Sequence, residues 1–240
     1  MYLIANGCSH TSGAEIEYLT QDSCYNKAWP QHLSNKLNAE SINLARSGAS
    51  CKRIIRTTID CIGNLFLKGI KPNELFVIVL WPGPYRTEIY QDILKDDELW
   101  KGWVPLCVGN DKQYKEHYSR AVFNYYKAWV TTTLDPKAAN IEYYNNIILL
   151  QGYLKSFKIN YLFWRASSTT LDKMNMSLAI QIDKKYFPCA HDNTFDYLSI
   201  LKNSGFKFSF ENATHFGEDG HIFFANFLYK VLEKTYGILE

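Results

Sequence analysis

The sequence predicts an α/β fold: a central parallel sheet with a layer of helices on each face. Three observations predict it. Short apolar, β-branched runs alternate along the chain with longer segments whose apolar residues recur at helical spacing, the pattern of a parallel sheet with right-handed crossovers. One run, NELFVIVLW (Asn73–Trp81), is apolar without alternation, as a strand covered on both faces must be. The length, 240 residues, suits one large α/β domain with a substantial core.

The elements follow in order. YLIAN (Tyr2–Asn6) reads as a short buried strand, and a turn from Gly7 to Gly13 ends it. Lys27–Leu37 carries Trp29, His32, Leu33 and Leu37 on one helical face, with Pro30 suited to a first turn. ESINLA (Glu40–Ala45) is a second strand, closed by RSGAS. Cys51–Gly69 is a long amphipathic helix through Ile54, Ile55, Ile59, Ile62 and Leu65. After the third strand, Gly83–Tyr118 mixes charge, proline and aromatics and reads as an insertion or lid. With its surroundings it covers about residues 84–145 of a single domain. Ser119–Asp135 and Asn140–Lys158 read as helices, Ile159–Ser167 as a buried strand, Phe195–Gly205 as a short helix and Asp219–Gly237 as the last helix. There is no internal repeat.

Composition excludes several functions. The chain is 47% apolar and 21% charged with a net charge of +2, and its basic residues are scattered among acids as in KDDELWKGW. Phosphate-backbone binding calls for clustered Lys and Arg, so no nucleic-acid partner is expected. No apolar stretch reaches the ~20 residues that span a bilayer, and MYLIANG lacks a signal-peptide core. Synthesis in the cytosol, with six free thiols, is the expectation. Aromatic residues make up 15% of the chain and serve either stacking on sugars or packing. The sequence carries no reading of oligomeric state.

The turn Gly7-Cys8-Ser9-His10-Thr11-Ser12-Gly13 has two readings. Its hydroxyls can cap the next helix, or Ser9 can be a nucleophile on a strand-to-helix turn. A nucleophile needs a base and oxyanion donors. Of six histidines, His10 neighbours Ser9, and on an extended turn its side chain would point elsewhere. His32 suits a packed or capping role, and His117 and His191 lie in unassigned segments. His215 and His221 flank FGEDG ahead of the last helix, in a loop that could return to the rim holding Ser9. Ser9, Gly48 and the Trp81 region each follow a predicted strand, and in open α/β sheets ligands bind beyond those carboxyl ends.

These blocks resemble the SGNH, or GDSL-type, hydrolase family. The Gly7–Gly13 turn matches its first block, Asn43-Leu44-Ala45-Arg46-Ser47-Gly48 its second, and NATHFGEDGH its last, with His215 in the catalytic position and Gly220-His221 as the trailing pair. The spelling of GCSHTSGAEI, KAWPQHL and NLARSGAS is most similar to SGNH-like proteins of tailed bacteriophages, which would put the protein in a host cytoplasm or a virion. The resemblance implies a three-layer, flavodoxin-like α/β/α sandwich. It implies Ser9 as nucleophile, His215 as base, and the Ser9 and Gly48 amides as oxyanion donors.

Three positions depart from the pattern. Cys8 replaces an Asp. No Asn follows the third strand, where LWPGPYRTE leaves Arg86 as a substitute donor or as the partner of Glu88. Asn212 stands where the triad acid belongs, so Asn212 orients His215 or a nearby Glu211, Glu218 or Asp219 supplies the carboxylate. Glu218 to His221 also fits an acid-x-x-His pattern, making His221 a second candidate base. No phosphate loop, dinucleotide fingerprint or metal-ligand spacing is present, so the expected chemistry needs no cofactor. The expectation is a serine esterase acting on a small-molecule or glycan ester. A degenerate SGNH scaffold that binds or builds, and a thioesterase or lipase with a long apolar groove, are the alternatives.

Overall fold

The computed structural model describes residues 1–16, 24–92, 102–167, 176–190 and 195–237. Four strands form the central sheet: β1 (Tyr2–Gly7), β2 (Glu40–Asn43), β3 (Leu75–Trp81) and β6 (Asn160–Arg165). They lie in the order β2-β1-β3-β6, every pair parallel. The chain starts in the middle and winds outward both ways, so the switch point lies beside β1, where such sheets build their ligand sites. Every residue of β3 is buried, the reason its sequence shows no polar alternation.

Helices cover both faces. α2 (Trp29–Lys36) packs against α9 (Glu218–Tyr236), and α3 (Cys51–Leu67) against α6 (Pro136–Ser156), which gives the three-layer α/β/α arrangement the sequence predicts. Ser50 caps α3 by accepting from the Arg53 amide at 3.1 Å, and Pro30 falls in the first turn of α2. The core runs through Leu3, Ile4, Val77, Ile78, Leu162 and Phe163 to Ile147, Leu150, Phe224 and Leu228. Each such side chain contributes about 1.5–3 kcal/mol when removed from water.

The segment after β3 is structured where the sequence offered only an insertion. β4 (Arg86–Tyr90) and β5 (Trp103–Cys107) form an antiparallel pair, followed by α4 (Asp111–His117) and α5 (Arg120–Ala128). A π-helical turn over Trp129–Thr133 interrupts what the sequence presents as one helix. Val104, Leu106, Tyr114, Val122, Tyr126 and Trp129 make a second core, joined by Leu134. α6 belongs to the main core from Tyr143 onward. Residues 93–101, which hold most of KDDELWKGW, lie outside the described residues.

The end of β1 is tightly constrained. A Cβ on Gly7 would lie 2.3 Å from Thr11 Oγ1 and 2.8 Å from the Leu80 carbonyl. Asn6, fully buried, donates through Nδ2 to the Ile54 carbonyl and the Thr57 and Thr58 hydroxyls at 2.9–3.1 Å and accepts from the Gly7 amide at 2.8 Å. Gly7→Ala should therefore destabilise the protein by about 1–3 kcal/mol, the cost of overpacking a site that cannot yield. A urea titration reads this directly, and an unchanged midpoint would show that Thr11 can move aside.

Candidate functional site

Immediately after β1 the chain enters a single helical turn, α1 (Ser9–Ser12). Cys8 precedes it in extended geometry, and its carbonyl accepts from the Thr11 and Ser12 amides at 2.9 and 3.1 Å. Among the described residues the Ser9 and His10 amides have no acceptor, as the first donors of a helix do not. Ser9 and His10 are half-buried. Cys8 is fully buried, which removes it as a solvent-reactive thiol.

Because the turn is helical, successive side chains step by about 100° rather than 180°. His10 therefore does not point away as an extended turn predicts. Its ring packs on His215, centroids 4.5 Å apart, and on Tyr197 at 5.2 Å. The loop before α9 thus meets the turn after β1, with His215 against the residue next to Ser9.

The acid beside His215 is Glu15. His215 Nδ1 lies 2.8 Å from Glu15 Oε2, and the Thr214 amide donates to the same oxygen at 2.8 Å. Thr214 Oγ1 lies 3.0 Å from that ring nitrogen and 3.4 Å from the carboxylate oxygen. Burial alone pushes the Glu15 carboxyl up, but the bonds from His215 and Thr214 outweigh it and hold the group below the usual carboxylate range. An ionised Glu15 only accepts, so Nδ1 carries the proton and Nε2 is left as the basic nitrogen. Among the described residues no hydrogen bond joins Ser9 to His215.

This corrects the expectations for the acid. Asn212 is exposed with φ +65°, a turn residue with no bond to His215, and Glu211 is exposed beside it. Glu218 lies 3.5 Å from His32 in the first turn of α9. The sequence search stayed near His215 along the chain, whereas Glu15 lies 200 residues away. The available signal was that Glu15 is the first acidic residue of the chain and sits just past the Gly13 turn.

His221 is corrected as well. It is buried, and its Nδ1 accepts from the Trp29 amide at 3.2 Å, satisfying an orphan donor at the start of α2. Burial first, then His215 and His32, lower its pKa to about 3. Such a group helps the fold rather than serving as a base.

The second block closes over the same rim. Leu44 donates to Ala5 at 2.8 Å, Arg46 to Gly7 at 3.3 Å, and Asn43 Nδ2 to the Thr11 carbonyl at 2.9 Å. Gly48 has φ +77°, a conformation that favours glycine, and its amide has no acceptor among the described residues. From the insertion, Cys107 Sγ donates to the Gly48 carbonyl at 3.3 Å. A Cβ on Gly48 would lie 3.7 Å from Pro105. Opposite Cys107 in the β4–β5 pair stands Arg86. Glu88 does not pair with Arg86: it binds Arg56 at 3.2 and 3.0 Å, and Arg56 lies over Trp103 at 4.3 Å.

The profile of a family of unknown function, DUF6071, matches residues 15–211. The chain belongs to that family. Glu15, Gly48 and Arg86 of this DUF6071 chain fall within the match, and Ser9 and His215 outside it. No curated protein matches. Among solved structures, the chain is similar to a member of the lipolytic protein G-D-S-L family from Veillonella parvula, at 13% identity over all of both chains with a TM-score of 0.47. A putative lipolytic protein of that family from Desulfitobacterium hafniense matches at 11% identity over 96% of this chain and 99% of its own, TM-score 0.44. An acetyl xylan esterase from Butyrivibrio proteoclasticus matches at 12% identity over 99% of this chain and 65% of its own, TM-score 0.47. Among the described residues no group of three or more His, Cys, Asp or Glu could hold a metal ion, and no helix is long and apolar enough to cross a membrane.

Stability should depend on pH through His10 and His221. His10 is lowered well below its ordinary value, by burial first, then by His215, Arg86 and His221. Below the ordinary histidine pKa of about 6.5 the unfolded chain binds protons that folded His10 and His221 refuse. Stability present at neutral pH is therefore lost as pH falls from about 6.5 toward the folded value of about 3 for His221. Glu15 adds little in the upper part of that window, because its depressed carboxyl stays ionised there. Urea midpoints should drop between neutral pH and about pH 5, and less steeply in His221→Gln, which keeps an acceptor for Trp29. Parallel slopes would assign the acid sensitivity elsewhere.

Proposed function

We propose that the protein is a serine ester hydrolase with Ser9 as nucleophile, His215 as general base and Glu15 as the acid that orients and charges the base. The observation that carries this reading is the 2.8 Å contact between Glu15 and His215 Nδ1, on a ring that packs against the residue after Ser9. It sets the tautomer a base requires, with Nε2 free to accept a proton.

In the proposed reaction Ser9 Oγ attacks the ester carbonyl while its proton passes to His215 Nε2. The open Ser9 and Gly48 amides donate to the oxyanion. His215 then protonates the leaving alkoxide as the carbon–oxygen bond breaks, and water, deprotonated by the same nitrogen, hydrolyses the acyl-enzyme. The Ser9–His215 hydrogen bond forms with substrate in place, as catalytic contacts often tighten only in the complex. The resemblance of the Ser9 and Gly48 blocks to phage SGNH-like proteins favours acetyl esters on a bacterial polysaccharide as the substrate class.

A second reading, a binding scaffold without turnover, is favoured by one observation: Ser9 and His215 share no hydrogen bond among the described residues. A fluorophosphonate probe read by intact mass separates the two. The hydrolase should gain one adduct that Ser9→Ala loses. A folded protein that takes no label is the scaffold.

Glu15 yields a further test. In a serine triad the Asp→Asn change lowers turnover by about 10⁴. Glu15→Gln should accordingly cut turnover of p-nitrophenyl acetate by about 10²–10⁴, while Asn212→Ala leaves it within about threefold. The reverse ranking would return the orienting role to Asn212.

A further inference from the structure

We propose that Arg86 completes the oxyanion hole, a guanidinium standing where a side-chain amide would otherwise follow the third strand. The proposal rests on the serine-hydrolase reading and assigns that site a third donor.

Arg86 opens β4, five residues beyond the end of β3, and is registered opposite Cys107. Cys107 in turn holds the Gly48 carbonyl, so the start of β4 is fastened to the loop that carries the open Gly48 amide. Arg86 hydrogen-bonds the Cys8 side chain at the end of β1 and interacts electrostatically with groups on the other walls of the rim, Cys51 at the start of α3 and His10 in α1. The guanidinium therefore stands among the residues that flank Ser9 and Gly48.

Its bonding is incomplete. Arg86 Nη1 is fully buried and has no hydrogen-bond partner among the described residues. Buried donors in native proteins are nearly always paired, and a buried charge without a counter-charge is costly. The nearest carboxylate along the strand, Glu88, is bound by Arg56 through both oxygens.

Cys51, Cys107 and His10 do not neutralise Arg86. Burial pushes the Cys51 thiol up to about 12 and raises Cys107, so both are uncharged at neutral pH. His10 is held neutral by burial, by His215 and by Arg86 itself. A guanidinium stays protonated under all these conditions. Among the described residues no carboxylate pairs with the Arg86 guanidinium.

That arrangement suits a charge that exists only briefly. A ground-state ester carbonyl is neutral and gains little from Arg86, whereas the tetrahedral intermediate carries a full negative charge on oxygen. Fixed donors aimed at developing charge act chiefly on the chemical step. A carboxylate partner for Arg86 would cancel the effect, and none is supplied by the facing residues.

The test is steady-state hydrolysis of p-nitrophenyl acetate by the full chain, with folding followed by near-UV circular dichroism. Arg86→Ala should lower kcat by about 10²–10³ and leave KM within about threefold, as loss of one oxyanion donor does. Arg86→Gln, which restores an amide donor, should retain more kcat than Arg86→Ala. Millimolar guanidinium chloride should raise kcat of Arg86→Ala and leave wild type and Ser9→Ala unmoved. A structural role would not produce that rescue. If Arg86→Ala does not fold, the Arg86→Gln and Arg86→Lys variants carry the comparison of kcat against KM.

Full kcat in a folded Arg86 variant, or a loss confined to KM, overturns the proposal while wild-type turnover and labelling keep the hydrolase reading intact. A wild-type protein that neither turns over ester nor takes the phosphonate overturns both.

Discussion

The carboxyl end of β1 has no spare room, and the rest of the rim is built on that fact. Gly7 lies against the Leu80 carbonyl on one side and Thr11 on the other, so the chain leaves the strand without a side chain. Asn6 fastens the same point to α3 with several hydrogen bonds from a buried amide. A strand held this firmly must turn at once, and the helical turn that results leaves the Ser9 and His10 amides without an acceptor among the described residues. It also sends Glu15 back toward the opposite end of the chain. The positions of Ser9, of the first amides of the turn and of Glu15 all follow from one sterically closed corner.

The electrostatics of the rim divide the work among four ionisable residues. Glu15 is ionised and pairs with His215, whose protonated Nδ1 leaves Nε2 basic. Burial lowers the pKa of both His10 and His221, which keeps them neutral near neutral pH. The His10 ring packs on His215, and His221 supplies an acceptor to α2. Histidines of one chain thus take different roles because their solvent access and hydrogen bonds differ, not because their chemistry does.

The insertion changes the character of this rim. An antiparallel pair with its own aromatic core brings Pro105 and Cys107 against Gly48 and sets Arg86 beside them. Tyr114 pins the strand from behind, donating to the Pro105 carbonyl and accepting from the Cys107 amide, both at 2.8 Å. A segment outside the sheet therefore finishes a site that begins inside it. Pro105 is tolerated because β5 pairs on one side only.

Much of the fold was legible along the chain, because each element carries its own periodicity. The apolar run of β3, the spacing of Ile54, Ile62 and Leu65 in α3, and Pro30 at the head of α2 are local signals of local structure. Ser9 and Gly48 were legible in the same way, since a turn after a strand at the switch point is a matter of order. The β4–β5 pair was hidden, its short strands broken by proline and charge. Glu15 was hidden for a different reason: a hydrogen bond between residues 200 apart leaves no trace in spacing. What the sequence alone determined was the order of strands and helices and the turn that bears Ser9, because backbone preference and hydrophobic period act over a few residues. Only the tertiary structure decided which acid meets His215, which histidines stay neutral and whether Arg86 finds a partner, because those depend on burial and on contacts between chain segments far apart.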